Sequence, residues 1–159
     1  MKPEGRNDGH NMDYTKLTDN IFIGSNLCKG NVCPIHADEF KKLGVCVELN
    51  LSAEKKEVPP DMVNGYMWIP VVDGYAPSPD QLDLGTAIVN ECIKNNNVVY
   101  VHCKNGHGRS PTMVAAYFIR FENKTVDEAI NFIKTKRSEV HFEKRQIDAL
   151  GKFYDKCQK

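Results

Sequence analysis

The 159-residue chain lacks a net charge: 21 Lys and Arg stand against 21 Asp and Glu. That balance excludes the broad one-signed field that draws a protein to nucleic acid, so no nucleic-acid partner is expected. No apolar run approaches the roughly 20 residues of a membrane-spanning helix. The N-terminus lacks the apolar core of a secretory signal, and Glu4 and Asp8 argue against a mitochondrial transit peptide. Internal repeats and a second domain are also missing. Residues 1–12, polar and rich in Gly and Asn, are expected to be disordered, with 13–159 forming a single domain.

Cysteine is plentiful. Six in a chain without a secretory signal read as reduced thiols of a cytoplasmic protein, not a disulfide framework. Cys28, Cys33 and His36 have a spacing that invites a metal. No second ligand pair follows, and no metal is expected there.

The positive charge is uneven. Residues 104–159 hold twelve Lys and Arg against seven Asp and Glu, whereas residues 1–103 hold nine against fourteen. The positive part follows the stretch VHCKNGHGRS at 101–110, which places Cys103 and Arg109 at the ends of a Cys-x5-Arg loop. Val98, Val99, Tyr100 and Val101 favour a strand before it, and the apolar run Met113 to Ile119 favours a buried helix after it. A glycine-containing loop between strand and helix aims backbone N–H groups at an anion. Ser110 and Pro111 read as the N-cap and first position of that helix. A thiol at such a helix start, beside a guanidinium, ionises easily. Arg109 can grip two phosphate oxygens with a fork that lysine lacks.

Along the chain, strands are expected at 20–25, 45–51, 66–72 and 98–101. Helices are expected at 35–43, 78–95, from Pro111 onward, at 126–136 and at 143–156. Lys55 to Pro60 reads as a charged loop. Strands alternating with helices predict an α/β fold, a mainly parallel twisted sheet with helices on both faces.

The motif resembles that of the cysteine-dependent protein tyrosine phosphatase superfamily, in its small (atypical) dual-specificity branch. HCKNGHGRS matches the His-Cys-x5-Arg-Ser/Thr pattern in full. LTDNIFIGS, Leu49-Asn50-Leu51-Ser52 and Ala116-Tyr117 are similar to further marks of the branch, so the likeness covers about residues 16–155. It implies a phosphatase fold and a catalytic domain over 13–159. Cys103 is then the nucleophile that forms a cysteinyl-phosphate. Lys104, Asn105, Gly106, His107, Gly108 and Arg109 bind the phosphate, and Ser110 and His102 assist the thiolate. Lys104 and His107 read equally as solvated loop residues. The family's general acid lies about thirty residues before the cysteine, where Asp73 stands; Asp80 and Asp83 are rivals, but they fall in a helix start, where capping is the simpler role. No cofactor and no metal are implied.

The implied substrates are phosphotyrosine and phosphoserine or phosphothreonine in proteins or peptides; the sequence does not fix the oligomeric state, and a monomer is the expectation. Two departures keep an alternative open. After Arg137 the chain reads SEVHFEKRQ where the branch has a proline and an asparagine-containing stretch. HCK with RSPTMVAAYFI is also similar to phosphatidylglycerophosphate phosphatases of mitochondrial type, and a lysine after the cysteine occurs in inositol-lipid phosphatases. A phospholipid headgroup is therefore the second substrate class. A phosphate-binding module without catalysis is the third reading, against which intact Cys103, Arg109 and Asp73 count.

Overall fold

A computed structural model of the protein describes residues 13–26 and 34–159, with side chains from residue 37 in the second stretch. The segment expected to be disordered, Cys28, Cys33 and the His36 side chain lie outside the described residues. Five strands form one sheet: β1 (Tyr14–Lys16), β2 (Ile21–Gly24), β3 (Val45–Ser52), β4 (Gly65–Val71) and β5 (Val98–His102), in the order β1-β2-β5-β3-β4. β2, β5, β3 and β4 run parallel, and only the edge strand β1 is antiparallel, with Tyr14 opposite Gly24. The mainly parallel α/β sheet expected from the alternating pattern is present.

The helices are α1 (Pro34–Leu43), α2 (Pro79–Lys94), α3 (Arg109–Phe121), α4 (Val126–Lys136) and α5 (Lys144–Cys157). α1 covers one face, where Phe40 meets Phe22, Val45 and Tyr100. The main core lies on the other face, against α2 to α5. Its centre is α3, whose residues from Arg109 to Ile119 are all buried. α3 has the sheet on one side and α2, α4 and α5 on the others, which is why its sequence carries no polar stripe.

Element ends agree with the sequence reading to within a residue or two. Ser78 caps α2 in a reciprocal box with Gln81, and Thr125 caps α4 with Glu128. One boundary needs correcting. α3 begins at Arg109 after Gly108, not at Pro111 after Ser110, and no side chain caps it. The Ser110 hydroxyl is therefore not spent on a backbone N–H of the first turn. β1 was not foreseen either: three residues carry too little alternation to announce a strand, and only pairing with β2 makes them one.

Candidate active site

Parallel strands deliver their carboxyl ends to one edge of a sheet, where α/β proteins build sites. Here β5 delivers Cys103, β4 delivers Asp73 and β3 delivers Glu54, each within two residues of its strand end. Cys103 is 3% exposed, at the start of the loop that leads into α3.

The loop carbonyls are all engaged on one side. Lys104 O accepts from Asn26 N at 3.0 Å, and His107 O accepts from His141 N at 2.7 Å. Asn105 O accepts from Arg137 Nη2 at 3.0 Å, and Gly106 O from Arg137 Nε at 3.0 Å. In a trans peptide the N–H points opposite to the C=O. The N–H groups of Asn105, Gly106, His107 and Gly108 therefore turn away from those partners, and the Gly106 amide faces Cys103. Gly106 has φ +72°, and a Cβ there would come within 2.6 Å of the Gly24 backbone, so glycine is required.

Burial pushes the Cys103 thiol up. The Ser110 hydroxyl and amide, the Arg109 charge and the Gly106 amide outweigh it and hold the thiol below its ordinary value. Ser110 Oγ lies 3.5 Å from Sγ, a contact available because that hydroxyl is not a helix cap.

Arg109 is 1% exposed and held on two of its edges. Glu54 takes the end of the fork, with Oε2 2.6 Å from Nη1 and Oε1 2.7 Å from Nη2. Val71 O accepts a further bond from Nη1 at 2.8 Å. The side edge, Nε and Nη2, remains: Nε is buried with no hydrogen-bond partner among the described residues, and Nη2 has Asp73 Oδ1 at 3.3 Å. Arg109 in turn holds the Glu54 carboxyl below the ordinary carboxylate range.

Asp73 sits on the turn after β4 with its side chain 77% exposed, and Oδ1 accepts from Gly74 N at 3.1 Å. Its rivals lie elsewhere. Asp80 is in the first turn of α2, already capped by Ser78, and Asp83 pairs with Lys156 and lies 3.9 Å from Arg120. The structure thus brings together Cys103, Arg109, Ser110, Gly106 and Asp73. Lys104 and Asn105 contribute backbone, while their side chains are exposed. His102, fully buried, lies behind the loop with Nδ1 3.3 Å from Cys103 O and Nε2 2.7 Å from Glu48 Oε1.

Sequence reasoning missed Glu54, Glu48, Glu57 and the role of Arg137. Lys55 to Pro60 reads as a charged loop, and Glu57 within it is nevertheless 4% exposed. For Glu54 a signal existed: a carboxylate just past the end of a strand that neighbours the one leading to Cys103 stands at the same sheet edge.

The chain is similar to known proteins over most of its length. The model of the dual specificity phosphatase catalytic domain matches residues 29–156. Mouse phosphatidylglycerophosphatase and protein-tyrosine phosphatase 1 is 34% identical over 116 residues, 73% of this chain and 51% of that protein. The human protein of that name is 38% identical over 78 residues, 49% of this chain and 39% of that protein; the aligned chain thus spans about half or less of those relatives' length. A putative tyrosine phosphatase 123R of Invertebrate iridescent virus 6 is 29% identical over 143 residues, 89% of this chain and 92% of that one. In fold, the crystal structure of PTPMT1 superposes with a TM-score of 0.79 at 23% identity, covering 91% of this chain and 96% of that one. With the family model spanning most of the chain and the fold in agreement, the chain belongs to the dual specificity phosphatase catalytic-domain family.

Proposed function

We propose that the protein hydrolyses phosphotyrosine and phosphoserine or phosphothreonine in proteins through a phosphate ester of Cys103. One observation carries the mechanism: the Nε–Nη2 edge of Arg109, its Nε buried with no hydrogen-bond partner among the described residues, near a thiol that the Gly106 and Ser110 amides face. An edge of two parallel donors matches two equatorial phosphate oxygens. The loop amides take the rest of the charge. The Cys103 thiolate attacks phosphorus in line, and the leaving oxygen takes a proton from Asp73. Asp73, now a carboxylate, removes a proton from water as that water attacks the cysteinyl-phosphate. Ser110 donates a hydrogen bond to the departing thiolate, and inorganic phosphate leaves. Arg109 holds the anion throughout, and Glu54 holds Arg109.

The protein-substrate reading is supported by the family model and by the nearly full-length likeness to the viral protein named a putative tyrosine phosphatase. The acid's turn also carries Val72 and Tyr75, 60% and 53% exposed, which adds apolar surface next to Asp73. A second reading has its own observation. The identities of 34% and 38% are to proteins named for phosphatidylglycerophosphatase as well as tyrosine phosphatase activity, which favours a glycerophospholipid headgroup. A binding module without catalysis is disfavoured, because Cys103, Arg109 and Asp73 lie in one place.

Turnover of phosphotyrosine and phosphothreonine peptides, phosphatidylglycerophosphate and phosphoinositides by the wild type separates these readings. The protein reading expects peptide kcat/KM to exceed that of either lipid. A dominant lipid rate transfers the assignment to the second reading. No turnover of any ester, with phosphate still bound, leaves only the binding module.

A further inference from the structure

His102 ends β5 and is surrounded by carboxylates that the reaction does not touch. Glu48 of β3 places Oε1 2.7 Å from Nε2, and Glu57 places Oε2 3.6 Å from the same nitrogen. Their side chains are 0% and 1% exposed, and Glu48 Oε2 and Glu57 Oε2 lack a hydrogen-bond partner among the described residues. On the opposite side of the ring, Nδ1 is 3.3 Å from the Cys103 carbonyl. A carbonyl only accepts, so Nδ1 carries a proton. The contact at Nε2 joins a nitrogen to a carboxyl oxygen, so it too contains one.

The net charge is the same whether that second proton sits on Nε2 or on the Glu48 carboxyl, so the neighbours decide. Glu57 Oε2, 3.6 Å from Nε2, sets a second acidic group beside that nitrogen and draws the proton to the ring. Lys55 Nζ lies 3.4 Å from Glu57 Oε1. Among the described residues, the tyrosines that face the ring carry no charge. Tyr100 stacks 5.5 Å from it and donates its hydroxyl to Ser25 O, and Tyr66 of β4 uses its hydroxyl oxygen to accept from Glu57 N and Asn50. Burial works against a charged imidazole, but the Glu48 hydrogen bond and the charges of Glu48 and Glu57 outweigh it and raise His102 above its ordinary value. Burial likewise raises Glu57.

We propose that Glu48 and Glu57 are positioning residues that hold His102 as an imidazolium beneath Cys103, clamping the Cys103 carbonyl through Nδ1–H and favouring the thiolate. The carboxylates lie at the Nε2 side and Cys103 at the Nδ1 side, so the nucleophile meets the positive end of the pair. The proposal rests on reading Cys103 as the nucleophile. The same three side chains offer ligand atoms within 4.8 Å of one another, an arrangement that also suits a divalent cation. The hydrogen-bond length at Nε2 and the charge already supplied by Lys55 favour the proton.

Nitrogen-15 imidazole spectra of the wild type read the charge directly, without any variant. His102 should be doubly protonated at pH 7 and titrate above the ~6.5 of free histidine; a neutral ring at pH 7 overturns the proposal. The pH dependence of Cys103 alkylation by iodoacetamide reads the coupling. In folded Glu48→Gln the His102 titration should fall, and the alkylation midpoint should rise by about one unit, roughly tenfold in the thiolate-to-thiol ratio. Glu57→Gln, which leaves the 2.7 Å contact intact, should move both the same way by less, and it serves if Glu48→Gln does not fold. Unmoved midpoints overturn the coupling. An unreactive Cys103 in the wild type overturns the nucleophile reading instead. Co2+ titrated into the Cys103→Ser protein should show no saturable binding that depends on Glu57; such binding would replace the proton by a cation and overturn the proposal.

Discussion

Arg109 illustrates how a single side chain is made into a receptor. Its guanidinium has three hydrogen-bonding edges, and Glu54 and Val71 O occupy two of them. The third, with Nε buried and no hydrogen-bond partner among the described residues, is the edge that the proposed mechanism assigns to phosphate. Glu54 is thus as important to the site's geometry as any residue of the loop motif. Glu54→Gln keeps one acceptor but loses the charge and half of the fork. It should lower kcat/KM for an aryl phosphate by about 10²-fold, the scale of a misplaced binding group, and weaken vanadate binding in parallel. Unchanged kinetics would show that Arg109 needs no partner. Cys103 should also be the thiol most readily oxidised by peroxide, since a lowered thiol value raises reactivity. Cys46 hydrogen-bonds at Val98, the far end of β5, and cannot bridge to Cys103 across that strand.

At the scale of elements, the turn between β4 and α2 separates the two kinds of aspartate. Asp73 is close to Arg109, whereas Asp80 lies in the first turn of a helix capped by Ser78 and Gln81. Asp73→Asn should cut the rate on esters with poor leaving groups by roughly 10²–10⁴, and by much less on an activated aryl phosphate. Asp80→Asn should leave catalysis intact and cost about 0.3–1 kcal/mol of stability through the helix dipole, measurable by urea unfolding. A larger kinetic loss at Asp80 would move the acid into α2. The elements themselves were readable in the sequence because helix period, capping residues and β-branched runs agree locally. The start of α3 was not. Ser110-Pro111 has the chemistry of a cap, but the loop's turn at Gly108 starts the helix earlier and frees that hydroxyl for Cys103.

Across the whole molecule, distant segments converge on the back of the phosphate loop. Arg137, between α4 and α5, is buried and bonded to Gly106 O, Asn105 O, Thr15 Oγ1 and the Asp13 carboxylate. It ties the edge strand to the loop and turns the loop's amides inward. Arg137→Met should destabilise the fold by about 3–5 kcal/mol, as removing one member of a buried ionic network does. Thermal unfolding checks this, and a loss under 1 kcal/mol would show that the loop needs no such support. The loop motif singled out Cys103 and Arg109 by spacing, while Asp73 came from the family resemblance, with Asp80 and Asp83 as rivals. Glu48, Glu57 and Arg137 were silent: which charged residue of a loop turns inward depends on packing between segments remote in sequence.

The central claim is that phosphate passes through Cys103. Rapid acid quench of the Asp73→Asn protein during turnover of an activated aryl phosphate, followed by peptide mapping, tests it directly. One phosphoryl group should be found on the peptide carrying Cys103, and none in the Cys103→Ser protein, which should still bind vanadate. Phosphate on another residue, or turnover that survives Cys103→Ser, would contradict the account.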